Sequence, residues 1–136
     1  MEIRQAALCV IFKGDAFLVA ELTDPVTGAV LHRPPGGGLE PGESPEEAVR
    51  REVHEELGLT LTRAELLGAV DHVWQWNGRD LRERAWLFKG WADSPPPLEL
   101  VEADGSRFPL RWRSLKQTDP PLVPAALWGW LSTNVI

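Results

Sequence analysis

Three glutamates, Glu52, Glu55 and Glu56, are spaced so that one face of a helix would carry all of them. Taking Arg51 as zero and about 100° per residue, they fall at about 100°, 40° and 140°. Glu52 and Glu56 would repel each other by roughly 0.2–0.5 kcal/mol, so helix stability does not explain the pattern. Carboxylate clusters unmatched by Lys or Arg suit hard cations such as Mg²⁺, which takes oxygen ligands.

A run of three glycines, Gly36 to Gly38, precedes these glutamates. A backbone without side chains can approach a metal or a phosphate closely and offer it a carbonyl or an amide. A diphosphate cannot settle beside three carboxylates unless cations lie between them. We therefore expect a glycine loop and a helix, together spanning Gly37 to Leu59, to form one site that binds divalent metal together with phosphate groups.

The helix that would carry the glutamates has well-defined ends in the sequence. Ser44 is a favourable N-cap, Pro45 suits the first helical position, and Glu47 completes a capping box. Gly58 is typical of the residue that ends a helix. A separate apolar stripe would seat the helix on a sheet and consists of Val49, Val53 and Leu57.

Short apolar and β-branched runs on both sides of this helix predict strands. QAALCVIF and FLVAEL read as a hairpin across residues 13–15, and VLHR as a further strand. ELLGAVDHVWQW and RERAWLFKGW form a second hairpin across Asn77-Gly78, followed by LELVE, RFPLRWRSL and a closing helix over 122–132. This order predicts one α+β domain over residues 1–136.

The bulk composition narrows the class of protein. The net charge of -6 argues against a broad electrostatic grip on nucleic acid, which needs clustered Lys and Arg. The single Cys9 lies in an apolar run, without a charged and apolar leader before it, and points to a reducing compartment. Apolar runs stay well below the roughly 20 residues that cross a bilayer. We expect a soluble, cytoplasmic protein without membrane partners.

The spacing G-x5-E-x7-R-E-U-x-E-E-x-G-U, with U an aliphatic residue, resembles the Nudix box. Every specified position matches, and the matching residues are Gly37, Glu43, Arg51, Glu52, Val53, Glu55, Glu56, Gly58 and Leu59. The resemblance implies a mixed β-sheet sandwiched between α-helices. It also implies hydrolysis of nucleoside diphosphate derivatives with Mg²⁺ or Mn²⁺.

By this resemblance, Glu52, Glu55 and Glu56 would be metal ligands, with one of them as the base that deprotonates water. Gly36 would lend a carbonyl to the metal. Arg51 and Glu43 resemble the pair that holds the loop against the helix, for which a planar guanidinium is well suited.

The family often adds an acidic ligand from outside the box, and four residues are open as candidates: Glu83, Glu99, Glu102 and Asp104. Glu83, which follows the Asn77-Gly78 turn, is included in the expected metal site. Trp74, Trp76 and Trp86 are candidates for stacking on a substrate, although core packing is the usual fate of tryptophan. Trp74 and Trp76 alternate along one strand and should share a face.

The leading hypothesis is a metal-dependent pyrophosphohydrolase acting on a small nucleotide, such as a nucleoside triphosphate or a sugar nucleotide. Two alternatives are a nucleotide-binding module on a Nudix scaffold that no longer cleaves, and an enzyme acting on the 5′ end of RNA. The acidic balance does not favour the RNA enzyme. Assembly as a homodimer is left open, and so is the identity of the substrate.

Overall fold

The computed structural model describes residues 2–134, which form two helices and nine strands. The helices are α1 (Pro45–Leu57) and α2 (Ala126–Asn134). The strands are β1 (Arg4–Val10), β2 (Phe12–Lys13), β3 (Ala16–Thr23), β4 (Val30–Arg33), β5 (Gly36–Gly38), β6 (Leu61–Trp76), β7 (Arg79–Ala92), β8 (Glu99–Val101) and β9 (Arg107–Ser114).

These strands form two sheets. One has the order β5-β1-β7-β6 and is mixed, because β1 runs parallel to β7 and antiparallel to β5. The other has the order β2-β3-β9-β8, with β4 also paired to β3. The long β6–β7 hairpin confirms the prediction from Asn77-Gly78, since both turn residues have positive φ, 54° and 75°.

The first predicted hairpin is only partly correct. The turn after Lys13 joins β3 to the two-residue β2, while β1 leaves this hairpin and joins the other sheet beside β7. Because β1 is buried on both faces from Ala6 onward, it belongs at the centre of a sheet rather than in an isolated hairpin.

Alternation along β1 builds two hydrophobic cores. Ala7 and Cys9 point into the core that contains the apolar stripe of α1, whereas Leu8 and Val10 point into the core that contains Leu127 of α2. The two helices therefore cover opposite faces of β1, which confirms the expected α+β arrangement of mixed sheet between helices. No helix within residues 2–134 is long and apolar enough to cross a membrane.

Two element predictions need correction. The glycine run is not a loop but the strand β5, which pairs with β1 from Ala6↔Gly38 to Leu8↔Gly36. The closing helix begins at Ala126 rather than near Leu122, because residue 123 precedes Pro124 and a residue before proline avoids helical geometry. Leu122 instead bridges to His32.

Candidate active site

A cleft of about 860 Å³ opens along β5. It is lined by glutamates of α1, by aromatic residues of β6 and β9, and by the segment after β8. Among the charged residues that line it are Glu52, Glu56, Glu102, Arg4 and Arg33. The cleft thus combines a carboxylate-rich region with an aromatic one.

Helix α1 aims its glutamates at this cleft through well-formed ends and an apolar anchor. Both hydrogen bonds of the predicted capping box are present, with Glu47 N–H donating to Ser44 and Ser44 N–H donating to Glu47. Gly58 ends the helix in the left-handed conformation at φ 70°. The predicted stripe is buried on the sheet, whereas His54, which lies outside the stripe, is exposed. These features fix the rotation of the helix about its axis.

The glycines of β5 allow the carboxylates to approach the backbone. A Cβ on Gly37 would lie 2.8 Å from the carboxylate of Glu52, so a side chain there would push this group away. The N–H of Gly36 donates a hydrogen bond of 3.2 Å to Glu56 Oε1. Gly36 thus touches the site through its amide, and the predicted carbonyl contact to metal stays a prediction.

Glu52, Glu56 and Glu102 all line the cleft beside this strand. Burial, and then the neighbouring Glu102 carboxyl, raise the pKa of Glu56 to about 9. Burial likewise raises the pKa of Glu52, although Arg51 opposes this effect. The Glu102 carboxyl is near enough to raise the pKa of Glu56, so ionising Glu56 without a cation nearby is unfavourable.

Arg51 connects the helix, the loop and the glycine strand. Its guanidinium donates to both carboxylate oxygens of Glu43 at 2.7 and 2.9 Å and to the carbonyl of Gly38 at 3.0 Å. The same group donates to Glu52 at 2.9 Å and to Glu55 at 3.2 Å. Arg51 therefore holds Glu43 and the glycine strand against α1, while it also neutralises part of the carboxylate cluster.

Protonation of Glu43 in acid should weaken its ion pair with Arg51. Hydrogen bonds from Arg51 lower the pKa of Glu43 from 4.5 to about 2. A carboxyl whose pKa is lowered by folding stabilises the protein above its unfolded pKa, and this stabilisation is lost as the pH falls through the folded pKa. We expect Glu43→Gln to lower the free energy of unfolding at pH 7, and the difference from wild type to shrink from about pH 4.5 down to about pH 2.

Urea unfolding across this pH range measures the effect. Glu65→Gln is the matched control, because the ion pair of Glu65 among the described residues is with the exposed Arg63, and its loss should change stability little at any pH. A difference between wild type and Glu43→Gln that stays constant down to about pH 2 would contradict the assigned contribution of the ion pair.

The four candidates from outside the helix occupy different places. Glu102 and Asp104 line the cleft, whereas Glu99 is exposed and lies 3.6 Å from Arg107. Glu83 is 1% exposed and accepts hydrogen bonds from Arg33 at 2.8 Å and from His72 at 2.9 Å. Burial would raise the pKa of Glu83, but these two partners outweigh it and the pKa is lowered. Glu83 thus lies in a buried network under the cleft.

The three glutamates of the helix are not equally close to the cleft. Glu55 is exposed, pairs with Arg51, and is not among the lining residues. Within residues 2–134, no three His, Cys, Asp or Glu side chains already stand together as a metal-holding group. Arg51 occupies the position of a counter-charge to Glu52 and Glu55, so a metal would have to draw these carboxylates away from it.

Trp74 and Trp76 form the aromatic side of the cleft. Their ring centroids lie 6.0 Å apart, which confirms that the two side chains share a face, and Phe108 meets Trp76 edge-on at 6.5 Å. Arg33 lies over the Trp74 ring at 4.6 Å. Trp86 does not line the cleft, and its Nε1–H donates to Gln5 at 2.9 Å.

Sequence reasoning missed Arg33 and Arg4, and it left His72 without a role. The signal for His72 was available, because counting outward from the two-residue turn at Asn77-Gly78 pairs His72 with Glu83. Arg33 and Arg4 carried no such signal, since their place in the cleft depends on which strands neighbour β1 and β5.

Comparisons with known proteins identify a family model and two curated relatives that match this chain. A family model described as NUDIX domain matches residues 2–131. A protein of Proteus vulgaris named 8-oxo-dGTP diphosphatase is 38% identical over 72 residues, which are 53% of this chain and 58% of that protein. A protein of Escherichia coli (strain K12) with the same name is 36% identical over 61 residues, 45% and 46% of the two chains. The chain spans about half the length of these curated relatives.

A solved structure resembles the whole chain. It is described as a MutT NUDIX hydrolase from Burkholderia pseudomallei and is 29% identical, with a TM-score of 0.73. The match covers 98% of this chain and 99% of that one, so it includes the cleft-lining strands as well as the helix.

Proposed function

The chain belongs to the NUDIX family, and from this premise we propose that it is a metal-dependent pyrophosphohydrolase that cleaves a phosphoanhydride bond in a nucleotide. The observation that carries the proposal is that Glu52, Glu56 and Glu102 line one cleft together with the glycine strand and the aromatic residues Trp74 and Trp76. The names of the two curated relatives favour a nucleoside triphosphate with an oxidised base as one substrate to test.

The carboxylates fit a divalent cation. Glu102 is near enough to Glu56 to raise its pKa, and Glu52 adds a third carboxylate against Gly37, so oxygen donors outnumber the cations that line this part of the cleft. Mg²⁺ and Mn²⁺ prefer such oxygen ligands and are commonly shared with substrate phosphates. When bound, the metal would polarise phosphoryl oxygens and lower the pKa of a coordinated water.

Glu102 is the acidic ligand from outside the helix that the geometry favours. Its negative charge helps to raise the pKa of both Glu56 and Glu52, and it lines the cleft with them. Glu83, the residue that the sequence favoured, has both carboxylate oxygens engaged by Arg33 and His72. We assign Glu83 the role of positioning Arg33 in the lining of the cleft. We assign Glu52, Glu56 and Glu102 the role of holding the metal, with Glu55 reaching in from the exposed edge.

The remaining residues orient the substrate and the ligands. Arg51 holds Glu52 next to the glycine strand, because its guanidinium donates hydrogen bonds to Glu52, Glu43 and the carbonyl of Gly38. Trp74 and Trp76 offer aromatic faces that line the cleft, and a planar base would stack on them. Trp86 is assigned to packing, because its indole N–H is already bonded to Gln5.

A nucleotide panel with Mg²⁺ or Mn²⁺ in ¹⁸O-labelled water tests the activity. The panel contains nucleoside triphosphates with normal and oxidised bases, sugar nucleotides and dinucleoside polyphosphates. We expect release of a nucleoside monophosphate, incorporation of one ¹⁸O into a single product, and no turnover after chelation of the metal. Tight nucleotide binding without turnover of any member would instead support the non-catalytic module, and turnover that survives chelation would contradict the metal assignment.

A further inference from the structure

Arg4 lies over the end of the glycine strand. It is exposed, belongs to β1 and lines the cleft. A Cβ on Gly38 would lie 3.3 Å from Arg4 Nη2 and 3.4 Å from Nε, which is tighter than ordinary contact. Gly38 does not have a positive φ, so its backbone conformation does not require a glycine. The absence of a side chain at position 38 therefore makes room for the guanidinium beside the carboxylates.

The guanidinium of Arg4 has no hydrogen-bond or ion-pair partner among the described residues, unlike those of the other arginines that line the cleft. Arg33 is engaged by the buried Glu83, and Arg107 lies next to Glu99. Across residues 2–134, the side chain of Arg4 makes no hydrogen bond or ion pair. A cation in a carboxylate-rich cleft that pairs with none of those carboxylates is available to an anionic ligand.

Arg33 adds to the positive potential around Arg4. Its Nη1 is buried and has no hydrogen-bond partner among the described residues, and Arg4 is near enough for the two guanidiniums to repel each other. An anion drawn to Arg4 would offset this repulsion. The neighbourhood of Arg4 therefore favours an anion, because the Arg4 guanidinium and Nη1 of Arg33 both lack hydrogen-bond partners among the described residues.

The features of the cleft follow one another along the chain leading into β5. Arg33 lies over the Trp74 ring, Gly36 and Gly37 contact the carboxylates, and Gly38 lies under Arg4. At about 3.3 Å per residue, Gly36 and Gly38 are about 7 Å apart. A nucleotide with its base at Trp74 and its scissile bond at the carboxylates would extend the rest of its phosphate chain toward Arg4.

We propose that Arg4 binds the terminal phosphate of the substrate, so that the protein prefers nucleotides whose phosphate chain ends freely over those whose chain is esterified at both ends. This inference rests on the proposed function. A planar guanidinium can hold two phosphate oxygens at once, and a free terminal phosphate offers more oxygens and more charge than an internal diester. Arg4 acts as a specificity-determining residue and not as a metal ligand.

The preference for a free terminal phosphate is tested by measuring the kinetics of Arg4→Gln on two substrates that carry the same base. With GTP and GDP-mannose, or the matching pair for the base that the panel selects, we expect kcat/KM for the triphosphate to fall about 10- to 100-fold, as for loss of a charge-assisted contact. The diphosphate sugar should change by less than about threefold. Arg4→Lys should restore part of the loss, since it keeps the charge without the fork.

Arg82→Gln is the matched control, because Arg82 is an exposed arginine of β7 that does not line the cleft. It should leave the ratio of the two substrates unchanged. An equal loss of activity on both substrates in Arg4→Gln would overturn the terminal-phosphate assignment, and so would an unchanged KM for the triphosphate.

A second measurement does not depend on turnover. Inorganic pyrophosphate with Mg²⁺ should raise the midpoint of thermal unfolding of the wild type, and this shift should be largely lost in Arg4→Gln but kept in Arg82→Gln. If the wild type hydrolyses no nucleotide, the proposed function fails while this experiment still decides the role of Arg4. An equal shift in wild type and Arg4→Gln overturns the inference even if the panel succeeds.

Discussion

Glu56→Gln should lower kcat/KM with Mg²⁺ by at least about 10²-fold while the protein stays folded. Glu56 is the most buried carboxylate of the cleft, receives the N–H of Gly36, and lies next to Glu102. Losing a residue that only supports a metal ligand typically costs 10- to 100-fold, so losing a ligand itself should cost at least as much. The change removes a charged oxygen donor without changing the size of the side chain.

The same substitution should not destabilise the metal-free protein at neutral pH. Burial and Glu102 raise the pKa of Glu56 to about 9, above its ordinary value of 4.5. An acid whose pKa is raised by folding favours the folded state when protonated, and it opposes folding increasingly as the pH rises above 4.5. Glutamine resembles the protonated form, so the variant should be as stable as wild type, or more stable, at pH 7.

Two measurements separate these effects. Activity is compared with that of Glu46→Gln, a control on the same helix whose carboxylate is exposed and pairs with Arg50. Urea unfolding without metal gives the stability, and thermal unfolding with and without Mg²⁺ gives the stabilisation by metal, which Glu56→Gln should lose. Retained turnover in Glu56→Gln would contradict the assignment, and a large loss of metal-free stability would show that Glu56 serves the fold instead.

The local part of the site could be predicted from the sequence. The capping box at Ser44 and Glu47, the apolar stripe and the shared carboxylate face all depend on residues within one helix. Their geometry follows from the helical repeat, which fixes where each side chain points. The β6–β7 hairpin was predictable for a similar reason, because a two-residue turn sets the register of both strands.

The rest depends on contacts between residues that are distant in the chain. Glu102 meets Glu56 only because β8 lies near α1, and Arg4 reaches Gly38 only because β1 pairs with β5. The sequence pattern around Glu83 indicated a residue near the site, but it could not show that Arg33 engages it from 50 positions away. Charge and spacing do not determine strand neighbours, which follow from burying both faces of β1.

Gly36→Ala should strongly destabilise the fold. Gly36 has φ 146°, a conformation that side chains disfavour, and a Cβ there would lie 2.0 Å from the carbonyl oxygen of Ala7 and 2.8 Å from the Cα of Leu8. Both obstacles are backbone atoms of the central strand β1, which cannot move aside as a flexible side chain could. Overpacking and backbone strain each cost about 1–3 kcal/mol, so the expected loss is about 2–6 kcal/mol.

Gly42→Ala isolates the cause of this loss. Gly42 also has positive φ, 79°, but a Cβ there meets no atom within 4 Å. It should cost only about 1–2 kcal/mol from the left-handed conformation. Urea unfolding of both variants measures the difference, and equal losses would contradict the importance of the close β5–β1 approach.

The loss in Gly36→Ala should extend to the site even where the variant is folded. An alanine at position 36 can be accommodated only by moving β5 away from β1, and this movement carries the N–H that Glu56 accepts. At low temperature, where the folded fraction is measured by circular dichroism, activity per folded molecule should therefore fall below that of Gly42→Ala. Wild-type activity in the folded fraction would mean that β5 contributes only to stability, whereas a reduced value would link its glycines to the position of Glu56 in the cleft.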